Sequence, residues 1–421
     1  LKKEVFMEKR CELKDPSHLE NFEIELLDGK LMARKTGEMP EEAFAYVLKT
    51  VDRFNRFKVA GYFNGARSVS FFAPPLPSKA GKRELVYRLR RVYLKERIPA
   101  AATLGLTYAC QLDCFHCSAQ LSKNPDKQWL TTDQWKKIIY DTVEMGCTNI
   151  IYTGGEPLIR KDIFELVEFV DKDKATVIMF TNGELHTEEN LKRLKDAGIY
   201  AIFISLDSPF EEEHDRLRRR PGLYKKVMKS VETCKKLDIM VGFSSYMTHD
   251  RYIKGELNDL MEVGKNAGVC EIVLFDAVPT GAFLRKTDIL LTAEDKEGIM
   301  RDTLNYFKKP EYPTLTAQAY VNSPISMGCF AAYNQYYMTA YGEMTPCDFT
   351  PISFGNAAEE GTKVVWERMT NHPAYKKRHQ TCRMQTPEFR KKYIDRIPDN
   401  SILPYPIKLL DESEMPAVGC K

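Results

Sequence analysis

No stretch of this chain approaches the roughly 18 consecutive apolar residues that a membrane-spanning helix needs, so no transmembrane segment is expected. Charge of one sign is missing as well. The 62 basic residues face 59 acidic ones, and a formal net charge of +3 makes no electrostatic case for a nucleic-acid partner. Repeats and low-complexity tracts are absent, and 11% aromatic residues with balanced charge exclude a disordered, collagen-like or coiled-coil chain. After Leu1-Lys2-Lys3-Glu4 there is no apolar segment with a cleavage site, so no secretory signal is expected and the reading is cytoplasmic.

What is present is enough apolar material for a sizeable core, 43% of 421 residues, and an odd number of cysteines, 11. A secreted disulfide scaffold would be short and would pair its thiols. Here three cysteines crowd into eight residues of a long chain, which favours a reduced protein whose thiolates are metal ligands. Cys147, Cys234 and Cys270 sit beside apolar or helical sequence and read as ordinary buried cysteines; Cys11 carries no signal.

The chain divides into three parts, 1–98, 99–310 and 311–421. In the first, Phe22 to Leu26 alternates, Asp28-Gly29 is a turn signal and Leu31 to Arg34 follows, predicting a hairpin. A helix is predicted from Pro40 to about Phe57, and a second, strongly basic one over 82–97. The basic helix packs on its neighbour with its charges in water, or lies against an anionic membrane surface or acidic partner. In the second part, short apolar strands at 103–107, 149–153, 175–180, 200–205, 239–244 and 271–275 alternate with amphipathic helices. Helices are expected over 132–146 with Thr132 as cap, 163–170, 187–197, 222–237, 255–267 and 293–307. Six such units predict an α/β fold with a parallel sheet, an open partial (β/α)6 barrel whose strand C-terminal ends hold the site. The third part is rich in Cys, Gly and Tyr and reads as short strands around a site, with Pro398, Pro404 and Pro406 marking an extended tail.

The chemistry begins at Cys110-Gln-Leu-Asp-Cys114-Phe-His-Cys117, directly after the first barrel strand. Three thiolates in one loop can hold three corners of a four-iron cube and leave one iron open to a chelating small molecule. Zinc is the competing metal, but its sites favour paired Cys-x2-Cys spacing and full closure. One β/α unit later comes Gly154-Gly155-Glu156-Pro157. Its glycines allow close backbone approach to a ligand, and Glu156 offers a carboxylate to a cationic amino group. An Arg216, Arg218, Arg219, Arg220 run after the fourth strand reads as a solvated face.

The pair of motifs, CxxxCxxC after one strand and GGEP after the next, resembles the radical S-adenosylmethionine (SAM) superfamily over about residues 100–310. The resemblance implies a [4Fe–4S] cluster on Cys110, Cys114 and Cys117, with SAM chelated at the open iron. It also implies reductive cleavage of SAM to methionine and a 5′-deoxyadenosyl radical that takes a hydrogen atom from an unactivated C–H bond. Gly154, Gly155, Glu156 and Pro157 then belong to the SAM site, with His116 near the adenine. Asn182 (in Thr181-Asn182-Gly183), Ser205 and Asp207 resemble contacts to the SAM ribose and carboxylate. Only Val241-Gly242-Phe243 remains of the family's glycine-rich fifth-strand motif. Cys329, twelve residues, Gly342, four residues and Cys347 resemble the start of the SPASM/twitch extension, which carries an auxiliary iron–sulfur cluster. Tyr341-Gly342-Glu343 reads as its hairpin turn, Gly355-Asn356 and Trp366 suit it, and Cys382 is the third ligand. Cys382-Arg-Met-Gln385 stands where Cys-x2-Cys would be expected, so one auxiliary [4Fe–4S] cluster is counted, its fourth position taken by Cys420 or left open.

The expected function is a radical SAM enzyme needing an external one-electron donor of the ferredoxin or flavodoxin type. Its expected substrate is a peptide or protein side chain recognised by the first unit. A small molecule or lipid chain is the alternative substrate. A non-catalytic two-cluster electron-transfer protein is the alternative of another class, against which the GGEP turn speaks, since electron transfer needs no SAM site.

Overall fold

The structure is a computed structural model that describes residues 16–412. Cys11 and Cys420 lie outside the described residues. The chain opens with a hairpin of β1 (Phe22–Leu27) and β2 (Lys30–Lys35), closed by Asp28 and Gly29, both at positive φ as the tight turn requires. Helix α1 (Glu41–Arg56) begins after Pro40 and packs Ala43, Val47, Val51 and Phe54 into a small core with Phe22 and Leu31. A second hairpin, β3 (Gly61–Phe63) and β4 (Ala66–Ser68), leads to α2 (Lys79–Leu89).

Helix α2 corrects the expectation for 82–97. It starts three residues earlier because the Ser78 hydroxyl accepts from the Gly81 amide at 3.0 Å. It ends in a wider turn, Arg90–Leu94, stopped by left-handed Lys95. Its arginines do not form a solvated or membrane-facing surface. Arg83 donates to the carbonyls of Val143, Cys147 and Lys174, while Arg88 and Arg91 both bind the buried Glu84 carboxylate. These charges tie the first unit to the barrel.

The barrel strands are β5 (Ala101–Gly105), β6 (Asn149–Thr153), β7 (Thr176–Thr181), β8 (Ala201–Ser205), β9 (Met240–Met247), β10 (Glu271–Asp276) and β11 (Thr314–Ala317). Between them run α3 (Thr132–Glu144), α4 (Ile163–Phe169), α5 (Glu188–Asp196), α6 (Glu211–Arg218), α7 (Leu223–Lys236), α8 (His249–Ile253), α9 (Glu256–Ala267) and α10 (Ala293–Phe307). Helix α3 is capped one residue earlier than expected, by Thr131 in a capping box with Gln134. Strands β5 to β11 are all parallel and adjacent in chain order. The six expected strands are therefore joined by a seventh, β11, which lies past residue 310 and is too short to stand out as a period. Alternation sorts the side chains. Ile150, Tyr152, Val177, Met179, Ile202 and Ile204 face the helices, whereas Ile151, Ile178, Phe180, Phe203, Val273 and Phe275 fill the lumen.

The first unit plugs the N-terminal end of that lumen. Phe71 and Phe72 pack on Phe203 with ring centroids 5.0 and 5.4 Å apart. The Phe71 amide donates to Glu271 at 2.7 Å, and Asn149 Nδ2 donates to the Phe71 carbonyl at 2.9 Å. The third part follows α11 (Gln318–Val321). Its strand β12 (Gln335–Met338) runs parallel beside β5, and β13 (Met344–Thr345) closes a nine-stranded sheet. The hairpin turn is at Gly342, as expected, with φ +89°. Strand β14 (Ile352–Ser353), helices α12 (Ala357–Glu360), α13 (Thr362–Asn371) and α14 (Pro387–Phe389), strand β15 (Tyr405–Pro406) and helix α15 (Ile407–Glu412) complete it. The proline-marked tail is thus not simply extended, because β15 pairs with β14. Trp366 donates its indole N–H to the Arg97 carbonyl at 2.7 Å, and Arg97 donates to the carbonyls of Ala332 and Tyr375, joining the extension to the end of the first unit. No helix among the described residues is long and apolar enough to cross a membrane.

Candidate active site

The cysteine loop leaves β5 at the C-terminal end of the sheet and is stitched to the neighbouring strand end by backbone. The Leu106 amide donates to Thr153, Gly155 to Thr107 at 2.6 Å and Glu156 to Ala109 at 2.8 Å. This explains the two glycines. A Cβ at Gly154 would lie 2.2 Å from the Thr107 carbonyl oxygen, and one at Gly155 would lie 2.1 Å from that of Ala109. Both glycines thus make a close approach to the cysteine loop.

Cys110, Cys114 and Cys117 are free, half-buried thiols on this loop. The Leu112 amide points at Cys110 Sγ (3.4 Å), as does Asn182 Nδ2 (3.8 Å), whose own Oδ1 accepts from Gln111. Burial pushes the Cys110 thiol up and that of Cys114 to about 11, against the opposing pull of Arg218. Metal binding here has to displace thiol protons.

Glu156 is fully buried. Its oxygens accept from the Asn182 amide (2.9 Å), the Thr181 hydroxyl (2.9 and 3.0 Å) and the Leu158 amide (3.2 Å), and burial raises it to about 7. It braces the ends of β6 and β7 and caps the short turn opened by Pro157. Asp207, after β8, is equally enclosed. Burial would raise it, but Arg218 (2.5 and 2.9 Å) and His116 Nε2 (3.1 Å) hold it well below the usual carboxylate range. The His116 ring packs on Tyr246 with centroids 4.6 Å apart, and its Nδ1 is buried without a partner. Ser205 ends β8 half-buried, while Gly242 lies low in β9 beneath Phe203, so the fifth-strand remnant is away from the mouth.

The arginine run is a solvated face at Arg216, Arg219 and Arg220, as expected, and departs from it at Arg218. Arg216 and Arg218 belong to α6, a helix with no counterpart in the sequence reading. Arg218 is inside against Asp207, Arg219 pairs with Asp113 of the cysteine loop, and Arg220 pairs with Glu184 after β7. Spacing alone could not reveal the partners of Arg219 and Arg220, because Asp113 and Glu184 come from other strand ends.

The second thiol group is deeper. Cys329, Cys347 and Cys382 are free and each at most 9% exposed. They face one another closely enough for their charges to interact. Burial first, then the other two thiols, pushes Cys382 well above the ordinary range, and burial takes Cys347 to about 12. The Thr350 hydroxyl is 3.2 Å from Cys347 Sγ. Neighbours that the motif reading missed are two carboxyls, buried Asp276 at the end of β10 and half-buried Asp348, both raised to about 6 by desolvation. The rule that strand C-terminal ends hold the site would have found Asp276. Among the described residues, no three His, Cys, Asp or Glu side chains close around a single ion.

These donor sets fit iron–sulfur clusters. Each is three free thiols near enough for their charges to interact, and at the first the N–H groups aimed at Cys110 Sγ and a buried His116 Nδ1 with no partner among the described residues leave polar contacts for a bound group. Comparison with known proteins agrees. Residues 104–263 match the radical SAM superfamily and residues 329–393 match the SPASM iron–sulfur cluster-binding domain, together more than half of the chain. The chain belongs to the radical SAM superfamily, in its SPASM-domain subgroup, and is an enzyme. Its cofactors are a [4Fe–4S] cluster with SAM, and an auxiliary iron–sulfur cluster. It is 26% identical over 291 residues to the AdoMet-dependent heme synthase of Methanosarcina barkeri, covering 64% of this chain and 82% of that protein. It is 31% identical over 150 residues to the PqqA peptide cyclase of Bradyrhizobium diazoefficiens, 36% and 40% of the two chains. Its fold is similar to that of Streptococcus suis SuiB bound to the precursor peptide SuiA, with a TM-score of 0.56 at 15% identity over 85% of this chain and 89% of that one.

Proposed function

We propose that this enzyme modifies a peptide or protein side chain, with Cys110, Cys114 and Cys117 holding the cluster that binds SAM and Cys329, Cys347 and Cys382 holding the auxiliary cluster. The observation that carries this reading is the loop of three free thiols stitched by backbone to Gly154-Gly155-Glu156-Pro157 at the open end of the barrel. When bound, the cluster and SAM supply one-electron abstraction of a hydrogen atom from an unactivated C–H bond. The chain's own residues position and shield. Glu156 locks two strand ends, Asp207 and Arg218 hold His116, and the Phe71–Phe72 plug closes the lumen behind the site, so that water is kept from one side. A ferredoxin- or flavodoxin-type donor supplies the electron. The peptide reading draws on the likeness to SuiB, which extends over 85% of this chain and therefore beyond the barrel. A small apolar molecule is the second reading, supported by the heme synthase relatives and by Phe275 packing against Phe349 of the extension, 5.6 Å between centroids.

The test is anaerobic reconstitution followed by SAM and dithionite. The expected result is 5′-deoxyadenosine from the parent and from Cys382→Ala, and none from Cys114→Ala. Intact SAM in the parent would overturn the reading. Peptide and small-molecule fractions are then compared for which one accelerates SAM cleavage.

A further inference from the structure

Three thiols leave one corner of a four-iron cube without a cysteine, so the side chains beside the auxiliary triad bear on what fills it. Cys382 opens a single 3-10 turn, Arg383–Gln385, in which the Gln385 amide donates to the Cys382 carbonyl at 3.2 Å. That turn delivers the Gln385 side chain to Asp276, where Nε2 donates to Oδ2 at 3.2 Å. Asp276 is 4% exposed, ends strand β10, and donates its amide to Gln318 Oε1 at 3.1 Å, so its backbone is anchored. The preceding residue, Phe275, packs edge-on against Phe349, two positions after Cys347. The end of β10 is therefore wedged between the Cys347 and Cys382 segments, and Asp276 is the carboxylate whose charge reaches the Cys382 thiol. The other nearby carboxylate, Asp348, is bonded by the Thr103 hydroxyl of β5. The Asp276 carboxylate accepts from the Gln385 side chain and the Ala319 backbone amide, and the Lys296 charge reaches it; a carboxylate so deeply enclosed still gains from meeting further positive charge. Iron accepts carboxylate oxygen as a ligand.

We infer that Asp276 is the fourth protein ligand of the auxiliary cluster, with Gln385 orienting its carboxylate. The inference rests on the assignment of Cys329, Cys347 and Cys382 to that cluster. Asp276 thus takes the position that Cys420 or an open iron would otherwise fill, and Gln385 supports the ligand from the place where a fourth cysteine would be expected.

The test uses the full chain carrying C110A, C114A and C117A, so that only the auxiliary cluster remains. After anaerobic reconstitution this parent should hold about four irons; if it holds none, the cluster assignment itself fails, whatever Asp276 does. Given iron in the parent, D276A, D276C and C420A are compared by electron paramagnetic resonance after dithionite reduction, with and without cyanide. The expected result is a parent and a C420A protein that ignore cyanide, a D276A protein whose spectrum is changed and shifts on cyanide addition, and a D276C protein that again ignores it. Loss of iron from D276A with retention in D276C is the same result in stronger form. A D276A spectrum identical to the parent, a change produced by C420A instead, or loss of iron from both Asp276 variants overturns the inference.

Discussion

Glu84 is an acidic residue in a helix that its composition makes strongly basic. In the fold it is a buried node that accepts from Arg88 at 2.8 Å, Arg91 at 3.1 and 3.2 Å and the Thr148 hydroxyl at 2.8 Å. Burial would raise its carboxyl, but Arg91 and Arg88 outweigh that and hold it at about 2, below the ordinary 4.5. The folded state therefore keeps this carboxylate ionised where the unfolded chain protonates it. The stabilisation is present above about pH 4.5 and is lost as the pH falls toward 2, with a magnitude of about 3 kcal/mol. Urea unfolding of the cluster-free protein at pH 7 and at pH 3 should show about 2 kcal/mol of that loss. Glu84→Gln should cost about 3–5 kcal/mol at pH 7, because it strands buried guanidinium groups, and should flatten the acid dependence.

At the scale of elements, the GGEP turn and the cysteine loop act as one unit. Their backbones are joined at Thr107 and Ala109, so a methyl at Gly155 has to push against the Ala109 carbonyl one residue before Cys110. Gly155→Ala should lower the melting temperature, because the clash is with backbone and strains the hydrogen bonds that join the two strand ends. Yield of 5′-deoxyadenosine should fall by about a hundredfold, the size of effect that a displacement of about 1 Å can have at a reacting centre. Equal activity in the variant would mean that the loop tolerates displacement. The motif itself was plain in the sequence, since its residue types and spacing are local. Its reason was not, because the partner of each glycine is a carbonyl in the loop that leaves the preceding strand.

For the whole molecule, the expected chain of β/α units was read correctly in type and order, while its limits were not. Strand β11 is four residues long and offers no period to detect; β12 pairs with β5 although 230 residues of chain separate Gly105 from Gln335. The first unit also enters the barrel, where Phe71 is fully buried against Tyr200 and Phe203. Phe71→Ala should destabilise the protein by about 3–5 kcal/mol in denaturant unfolding. Iron content of that variant should stay at the parental value, about eight per chain when both clusters are loaded. A fall in iron would mean that the plug also shapes the cysteine loop.

By itself the sequence determined everything that local spacing can carry: period-two apolar strands, helical stripes, a thiol triad in one loop and a glycine pair one unit later. It also told that the chain uses iron–sulfur chemistry, because ligand type and spacing are chemical facts of the primary structure. Tertiary structure alone decided which charges are inside, since a buried arginine and a solvated one are spelled alike and only the acceptors brought up by distant strands distinguish them. Arg218 reaching Asp207, Phe71 closing the lumen and Asp276 arriving beside Cys382 are all of this kind. The first is a contact within one β/α unit and the other two join segments far apart in the chain, and all three depend on how the parallel sheet places its strand ends.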